Sequence, residues 1–251
     1  MTPLAPPSPA QIQSIFNRIA PVYDEFNDWL SLGQHRVWKM MALKWSEARP
    51  GDTCLDLCCG SGDLAILLAQ QTGKTGRVFG VDFSPALLEL AEKRNRDLYR
   101  IDWLEADVLN LPLSDNCIDS ATMGYGLRNV IDIPRCLKEL HRVMGPGAKA
   151  AILDFHRPSS PALRSFQQWY LDSLVVPLAK AKGLYDEYAY ISPSLERFPI
   201  GSEQVALARE AGFAKATHYA IASGMMGVLV VAKGCREKDK TDNSTNNNEP
   251  V

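Results

Sequence analysis

The sequence predicts an α/β protein with a doubly wound, mostly parallel seven-stranded sheet that ends in an antiparallel C-terminal hairpin. Two observations lead to this fold class. From residue 53 to residue 156, short apolar runs alternate with amphipathic stretches, and the segments between them are short, which is typical of a parallel sheet covered by helices. Near the end of the chain, two strand-like runs, 216–224 and 227–234, are separated only by a turn around Gly224, which indicates a hairpin.

The elements of the parallel part can be assigned in chain order. The predicted strands are 53–59, 77–84, 101–108, 117–126 and 148–156. The predicted helices lie in segments 60–73, 85–98 and 132–144. Ser84 is a suitable N-cap for the second helix because Pro85 follows it at the first helical position, and the sequence Gly-Pro-Gly at 145–147 should stop the third helix.

The ends of the chain differ in composition from the segment between them. We expect residues 1–10, which are rich in proline, to be flexible, and the polar residues 236–251 to be disordered, because they bury too little apolar surface to compensate their ordering entropy. Residues 11–235 then form a single domain, with N-terminal lid helices at about 11–48 and an insertion of helix and aromatic-rich loops at about 160–200.

Composition excludes several classes of protein. A net charge of −2 and a pI near 6.1 are atypical of a nucleic-acid binder. The six cysteines include no Cys-x-x-Cys pair, so we expect reduced thiols and no metal. The N-terminus lacks a secretory signal, and no apolar run reaches the roughly 18 to 20 residues that span a bilayer. These features predict a cytoplasmic protein.

The segment Leu55–Ala65, with the sequence LDLCCGSGDLA, carries the main functional signal. A predicted strand delivers Asp56, and Gly60 and Gly62 then turn the chain tightly into a helix, where the backbone can approach a ligand closely. Taken alone, Gly60-x-Gly62-x-x-Ala65 also fits the dinucleotide-binding pattern with an acid about 20 residues later. The loop therefore indicates either a nicotinamide cofactor or another adenosine-containing ligand.

Three features favour S-adenosylmethionine over a nicotinamide cofactor. Asp82, at the end of the second strand, suits the ribose hydroxyls of either ligand, whereas Asp56 suits a cationic amino-acid group better than a pyrophosphate and Asp107, at the end of the third strand, suits an adenine amino group. None of the eight tyrosines has a lysine four residues later, as a short-chain reductase would require. Three acids at three successive strand ends match an ammonium, a ribose and an adenine.

Several motifs resemble those of the ubiquinone/menaquinone biosynthesis C-methyltransferases, over roughly residues 15–233. They are YDEFNDWLSLGQHRVW, LDLCCGSGD, GVDFS, EADVLNLP, GYGLRNV and LKELHRVMGPGAKAAILDFHRP. The resemblance implies a class I, Rossmann-like methyltransferase fold with S-adenosylmethionine as cofactor. It places Ser61, Asp82, Asp107, Val108 and Gly124 at the cofactor, together with Phe83 beside Asp82, Gly60 and Gly62 shaping the site and Asp56 orienting the ligand.

The sequence departs from the family pattern at two places. Phe26 stands where the family has Met, and the late motif ends in Asp154-Phe155-His156 where the family usually has Glu-x-Ser. The ending LDFHRP looks like the branch that methylates 2-phytyl-1,4-naphthoquinone in phylloquinone synthesis. The expected reaction is therefore methyl transfer to a ring carbon of the reduced naphthoquinone, with demethylmenaquinol and benzoquinol as alternative acceptors.

The resemblance also suggests which residues act on the quinol. We expect Arg128 to stabilise negative charge developing on the quinol and Asn129 to position a ring oxygen. Proton removal could fall to one of four residues: His156, Asp154, His35 and Tyr23. For Arg128 the alternative is a structural ion pair at a helix cap.

Two segments suggest contacts with apolar partners. Residues 23–35 carry aromatic side chains that could cover a flat ring and an isoprenoid tail, whereas residues from Trp38 onward look structural. Residues 162–184 have apolar and aromatic side chains at helical spacing, so they would lie on a thylakoid membrane surface or pack on the sheet or on a second subunit of a homodimer. A catalytically silent scaffold that only binds S-adenosylmethionine is the alternative from another functional class.

Overall fold

The computed structural model of the chain describes residues 9–20, 28, 31, 33–96, 98–158, 160–181 and 191–235. Seven strands lie within these residues. They are β1 (Thr53–Leu57), β2 (Arg77–Asp82), β3 (Ile101–Glu105), β4 (Ile118–Gly124), β5 (Met144–Phe155), β6 (Lys215–Ile221) and β7 (Met226–Ala232). All seven belong to one sheet, in the order β3-β2-β1-β4-β5-β7-β6.

Strands β1 to β5 pair in parallel, and β7 pairs antiparallel with both β5 and β6. This arrangement confirms the predicted doubly wound sheet with a C-terminal hairpin. Strand order reverses at β1, which has β2 on one side and β4 on the other. In sheets of this kind ligands bind beyond the carboxyl ends of the strands at such a switch point.

Helices precede, connect and cover the strands. The α-helices are α1 (Pro9–Ile19), α2 (Gln34–Ser46), α3 (Asp63–Thr72), α4 (Pro85–Asn95), α5 (Ile133–Val143), α6 (Pro161–Tyr170), α7 (Val176–Ala181), α8 (Ile191–Arg197) and α9 (Gly201–Glu210). A 3-10 turn spans Leu127–Asn129, and a π-helical segment, Leu171–Val175, joins α6 to α7. No helix among the described residues is long and apolar enough to cross a membrane.

Helices cover both faces of the sheet. Alternate residues of its central strands point to opposite sides, so each face contributes side chains to a core. Leu55, Leu57 and Ile152 belong to the main core, in which α5 and α9 pack on one face. Cys54 belongs to a smaller cluster under α3, and Ala151 to another under α2, on the opposite face. These central strands therefore read as continuous apolar runs, as in buried parallel sheets generally.

Most predicted boundaries agree with the structure. Ser84 caps α4 by accepting a hydrogen bond from the Leu87 amide, with Pro85 at the first helical position. Helix α5 ends at Val143, and β5 starts at Met144, four residues earlier than predicted. The strand includes the Gly-Pro-Gly sequence, where its register against β4 shifts. Helix α9 had not been identified as an element of its own, since glycine and polar residues weaken its apolar stripe.

The helix that precedes β1 and the helical segments between β5 and β6 meet at the carboxyl edge of the sheet. Ile19 of α1, Leu171 and Val175 of the π-helical segment, and Ile191 and Leu195 of α8 form one buried cluster. Phe16 and Phe155 pack against this cluster. The N-terminal helix and the residues between β5 and β6 thus meet above the edge where the site lies.

Candidate active site

Three acidic residues converge at the carboxyl edge of the sheet. Asp56 lies in β1, Asp82 is the last residue of β2, and Asp107 follows β3 by two residues. Because β1, β2 and β3 are neighbouring parallel strands, all three acids reach the same edge. This juxtaposition was expected from the sequence alone.

The loop between β1 and α3 brings backbone N–H groups to this edge. Gly60 and Gly62 have φ angles of 54° and 87°, a region that glycine adopts without steric cost. A Cβ on Gly62 would also lie 2.7 Å from the Trp103 ring, so the position admits no side chain. The Gly60 amide donates a 2.8 Å hydrogen bond to Asp82 Oδ2, which ties the loop to β2.

Asp82 is a buried carboxylate held by backbone donors. It is 3% exposed, and its Oδ1 accepts a 2.9 Å hydrogen bond from the Ser84 amide. Burial raises its pKa to about 6, although the backbone hydrogen bonds oppose that rise. Each oxygen keeps a second lone pair, so the carboxylate can still accept hydrogen bonds from the hydroxyls of a ligand.

Asp56 is the most deeply buried of the three acids. It is 1% exposed, and its Oδ1 accepts a 2.8 Å hydrogen bond from Thr122 Oγ1. Its Oδ2 is buried without a hydrogen-bond partner among the described residues. Burial raises the pKa of this carboxyl to about 7. A carboxylate with one unsatisfied oxygen suits a cationic ligand group, which would favour its charged form.

Three adjoining cavities form one groove along this edge, and Cys58 lines all three. The outer end is lined by Ile12, Phe83, Ala106, Asp107, Val108, Leu109, Val130 and Ile131. The middle is lined by Phe16, Gly60, Asp82, Leu87 and Gly126, and Asn129 borders both of these sections. The inner end is lined by Lys39, Asp56, Ser61, Asp63, Leu64, Gly124 and Tyr125.

Helix α1 covers the middle of the groove. The Gln13 side chain donates to the Phe83 carbonyl, and the Ser84 hydroxyl donates a 2.6 Å hydrogen bond to Asn17 Oδ1. The rings of Phe16 and Phe83 meet edge to face, with centroids 6.2 Å apart. These contacts join the N-terminal helix to the β2–α4 turn, so α1 forms part of the groove wall.

The end of β4 supplies the opposite wall. A Cβ on Gly124 would lie 2.9 Å from Leu64 Cδ1, so this strand end packs closely against α3. The Asn129 amide nitrogen donates a 3.2 Å hydrogen bond to the Tyr125 carbonyl. Its Oδ1 is buried without a hydrogen-bond partner among the described residues. Asn129 thus presents an acceptor at the groove.

Arg128 and Asp154 form a buried ion pair beside the groove. Arg128 Nη1 donates 2.8 Å hydrogen bonds to Asp154 Oδ1 and to the Tyr125 carbonyl, and the Arg128 amide donates to Asp154 Oδ2. The Phe155 amide also donates to Asp154 Oδ1, so both carboxylate oxygens accept from N–H groups. Neither side chain is among those that line the groove, which favours a positioning role for the pair over direct contact with a ligand.

The remaining predicted catalytic residues lie apart from the groove. His35 hydrogen-bonds Ser31 through Nδ1 and lines a separate cavity that reaches the groove only through Lys39 and Asp63. Burial lowers the pKa of His35 and also that of His156. His156 lies 4.7 Å from His218, centroid to centroid, and its Nδ1 has no hydrogen-bond partner among the described residues. Tyr23 and most of the aromatic segment around it fall outside the described residues.

Lys39 and Tyr125 line the inner end of the groove but had not been predicted as site residues. The signal for Lys39 was its phase on α2: it shares the buried stripe with His35, Ala42, Leu43 and Ser46. A lysine on a buried helical face needs a partner or a ligand. Tyr125, which has a φ of 61°, carried no comparable signal, because backbone strain cannot be read from residue type.

Comparison with known proteins identifies relatives over nearly the whole chain. The model of the ubiE/COQ5 methyltransferase family matches residues 7–233. A protein of Nostoc punctiforme named 2-phytyl-1,4-naphtoquinone methyltransferase is 70% identical over 226 residues, covering 89% of this chain and 98% of the relative. A chloroplastic 2-phytyl-1,4-beta-naphthoquinone methyltransferase of Arabidopsis thaliana is 50% identical over 224 residues, covering 87% of this chain and 86% of the relative.

Solved structures show the same fold at low sequence identity. A SAM dependent methyltransferase from Aquifex aeolicus has a TM-score of 0.61 at 17% identity, with 83% of this chain and 97% of that chain covered. A Haemonchus contortus phosphoethanolamine N-methyltransferase 2 in complex with S-adenosyl-L-methionine has a TM-score of 0.62 at 15% identity, with 82% and 56% covered. These likenesses establish the methyltransferase fold.

The groove fits S-adenosylmethionine, the methyl donor that the comparisons indicate. Its unsatisfied Asp56 oxygen, its glycine-lined middle with Asp82 and its outer end with Asp107 match an ammonium, a ribose and an adenine in that order. The resemblance seen in the sequence motifs is thereby confirmed. The chain belongs to the ubiE/COQ5 methyltransferase family.

Proposed function

We propose that this protein transfers the methyl group of S-adenosylmethionine to a ring carbon of reduced 2-phytyl-1,4-naphthoquinone, the last step of phylloquinone synthesis. The observation that carries the proposal is the 70% identity to a relative named for this substrate, over 89% of the chain, together with a complete cofactor groove. Asp56, Asp82 and Asp107 line the groove, and each has a carboxylate that can accept hydrogen bonds from S-adenosylmethionine.

Each section of the groove has its own task in cofactor binding. At the outer end, Asp107 accepts a hydrogen bond from the adenine amino group, while Val108 contacts the flat base. In the middle, Asp82 accepts hydrogen bonds from the ribose hydroxyls and holds the Gly60 amide in place. At the inner end, Asp56 and Ser61 line the same cavity, and the Ser61 hydroxyl accepts a 2.9 Å hydrogen bond from Arg94.

Positioning accounts for most of the catalysis that the protein has to provide. The bound cofactor supplies a methyl group already activated by a sulfonium. The protein must align the ring carbon with that methyl and exclude water, and such alignment can lower a barrier by several kcal/mol, up to roughly 7–11 kcal/mol in model reactions. Asn129 borders the outer and middle sections of the groove, and its Oδ1, which has no hydrogen-bond partner among the described residues, would accept the hydrogen bond of a quinol hydroxyl that lies beside the ribose.

The Arg128–Asp154 pair holds Asn129 in that position. Arg128 and Asn129 both donate to the Tyr125 carbonyl, and the Arg128 amide is anchored on Asp154. Because both Asp154 oxygens already accept N–H groups, this carboxylate is a poor proton acceptor in the resting site. Because Asp154 compensates the charge of Arg128, the pair contributes by holding Asn129 rather than by stabilising the developing charge on the quinol.

Among the candidates for proton removal we favour His156, which does not line the groove itself and would act on a quinol ring that extends beyond the groove toward Phe155. Its lowered pKa, which burial causes first and Arg157 second, keeps the imidazole neutral at pH 7, the form that accepts a proton. Its Nδ1 is free of partners among the described residues, and it directly follows Phe155, whose ring lies 5.9 Å from that of Tyr125 on the groove wall. A phenol ionises near pH 10, so a base of this kind assists the reaction at neutral pH.

We also propose that the protein contacts a membrane surface through one face of α6 and the π-helical segment. Phe166, Trp169 and Leu174 are 48%, 53% and 49% exposed, and the rings of Phe166 and Trp169 lie 5.8 Å apart. Arg164 and Lys180, at the two ends of the same helical segment, are exposed and suit anionic head groups. The proposed substrate carries a phytyl chain that resides in a bilayer, so this face would bring the groove to it. The competing occupant is a second copy of the chain.

The decisive experiment supplies purified protein with labelled S-adenosylmethionine and chemically reduced 2-phytyl-1,4-naphthoquinone. The oxidised quinone and a reduced benzoquinone serve as parallel acceptors. We expect label only in the reduced naphthoquinone. Transfer to the benzoquinol instead would overturn the substrate, and cofactor binding without transfer to any acceptor would favour the scaffold alternative.

A further inference from the structure

The inner end of the groove contains a buried lysine whose role the proposed function does not explain. Lys39 is 6% exposed and lines this end together with Asp56, Ser61 and Tyr125. Its ammonium lies 5.8 Å from the centroid of the Tyr125 ring. Burying a lysine is costly unless its charge is used.

The charges around Lys39 are unequal. Asp63 Oδ2 accepts a 2.5 Å hydrogen bond from Lys39, and Asp63 Oδ1 accepts one of 2.5 Å from Arg94. Burial by itself would raise the pKa of Asp63, but the two cations hold it at about 2. Two cations therefore share one carboxylate, and this trio keeps one net positive charge beside the groove.

Lys39 also has donors to spare. An ammonium has three N–H groups, and among the described residues Lys39 makes a single hydrogen bond, to Asp63. On the same cavity, Asp56 Oδ2 is an acceptor without a partner among the described residues. The inner end thus combines unused cationic donors with an unused anionic acceptor, which is the complement of a zwitterion.

We propose that Lys39 binds the α-carboxylate of the methionine part of the cofactor, while Asp56 receives its α-ammonium. Asp63 and Arg94 are positioning residues: Asp63 fixes the lysine side chain, and Arg94 neutralises Asp63 so that the lysine charge remains available. This inference rests on the proposed function for the identity of the ligand. It assigns the cofactor's amino-acid end to two side chains on different elements, α2 and β1.

The test is a comparison of two ligands that differ only in the carboxylate. Binding of S-adenosylhomocysteine and of its decarboxylated analogue to the full chain is measured by titration calorimetry, without any quinol. We expect Lys39→Met to weaken binding of S-adenosylhomocysteine by about 10- to 100-fold, and binding of the decarboxylated analogue by less than about threefold. Lys44→Met, an exposed lysine on the same helix, is the matched control and should change neither affinity.

Asp56→Asn provides the reciprocal comparison. It should weaken both ligands equally, since both keep the ammonium, but should leave an analogue that lacks the amino group unaffected. The assignment would be overturned if Lys39→Met weakened the binding of S-adenosylhomocysteine and of its decarboxylated analogue equally, or weakened neither. If Lys39→Met does not fold, as judged by thermal melting, Lys39→Gln gives the same comparison.

The binding assay separates this inference from the proposed function. If S-adenosylhomocysteine binds with the predicted pattern but no quinol is methylated, the lysine assignment stands and the substrate is wrong. If the wild-type protein does not bind S-adenosylhomocysteine, both are overturned.

Discussion

The amide of Gly60 donates a 2.8 Å hydrogen bond to the carboxylate of Asp82, which joins the first strand's loop to the end of the second strand. One side chain therefore shapes the glycine loop and also faces the middle of the groove. Because Asp82 is 3% exposed, this link is shielded from competing water. The loop conformation and the proposed ribose contact depend on the same carboxylate.

Asp56→Asn should stabilise the cofactor-free protein at alkaline pH. Burial raises the pKa of Asp56 to about 7 from its ordinary value of 3.8, so ionising it costs the folded state free energy. The unfolded chain ionises at the lower pH, and the wild-type protein therefore loses stability as pH rises from about 4 to 7. At pH 8 we expect the variant to gain on the order of a few kcal/mol in the free energy of unfolding.

Urea denaturation at pH 5 and at pH 8, without cofactor, measures this gain. At pH 5 the wild-type carboxyl is largely protonated in the folded state, so the two proteins should differ much less. A stability difference that is the same at both pH values would contradict the argument. The variant should nevertheless bind cofactor more weakly, a trade-off typical of functional sites.

Gly80→Ala should destabilise the sheet beneath the glycine loop. A Cβ at this position would lie 2.5 Å from two carbons of the Trp103 ring on β3. Overpacking of this kind typically costs about 1–3 kcal/mol. Trp103→Leu removes the clashing ring. Gly80→Ala should therefore cost less stability in a Trp103→Leu background than in the wild-type protein. Additive effects of the two substitutions in thermal melts would contradict the contact.

The Arg128–Asp154 pair can be tested by a double substitution. Removing one member leaves a buried charge uncompensated, and Arg128→Met or Asp154→Leu alone should cost about 3–5 kcal/mol in the free energy of unfolding. The double variant should recover much of that stability. Because the double variant also lacks the two contacts that hold Asn129, its kcat should stay low even though its stability recovers.

A stable double variant whose kcat returns to that of the wild type would instead show that turnover needs neither these contacts nor the charge of Arg128. Turnover is measured with the reduced naphthoquinone at saturating cofactor.

Asn129→Leu should lower kcat while leaving cofactor affinity nearly unchanged. Its unpaired Oδ1 is the acceptor that we assign to a quinol hydroxyl, and loss of one such contact should lower turnover by roughly 10- to 100-fold. Asn129→Gln keeps both the acceptor and the amide donor to the Tyr125 carbonyl and should retain more activity. Equal loss in both variants, with weakened binding of S-adenosylhomocysteine, would place Asn129 at the cofactor instead.

Replacing the exposed apolar side chains of α6 and the π-helical segment should abolish membrane association without affecting the groove. The triple variant Phe166→Ser, Trp169→Ser and Leu174→Ser removes side chains that are each about half exposed. In flotation with anionic liposomes, we expect wild type to float and the variant to remain in the dense fraction. If wild type fails to float but forms a dimer in sedimentation that the variant does not form, the face is an interface between two copies.

Residue periodicity and turn chemistry were sufficient to predict much of the fold. The Ser84–Pro85 cap and the glycine loop are local signals, because Ser and Pro favour a helix start and glycine adopts positive φ angles without steric cost. The early start of β5 at Met144 was missed, since a register shift depends on the paired strand and not on local sequence. Helix α9 was missed for a similar reason: its burial is created by packing on α5 and β6.

The sequence alone was enough to predict that Asp56, Asp82 and Asp107 lie at one edge of the sheet, because parallel strands of a doubly wound sheet place their carboxyl ends together. Only the tertiary structure decided which residues Lys39, Arg128 and Asp154 contact. Their roles depend on which residues face them from other elements: Asp63 and Arg94 for the lysine, and each other for the ion pair, which spans 26 positions of the chain. Local sequence encodes strands, caps and turns, whereas long-range pairing of charges is a property of the packed chain.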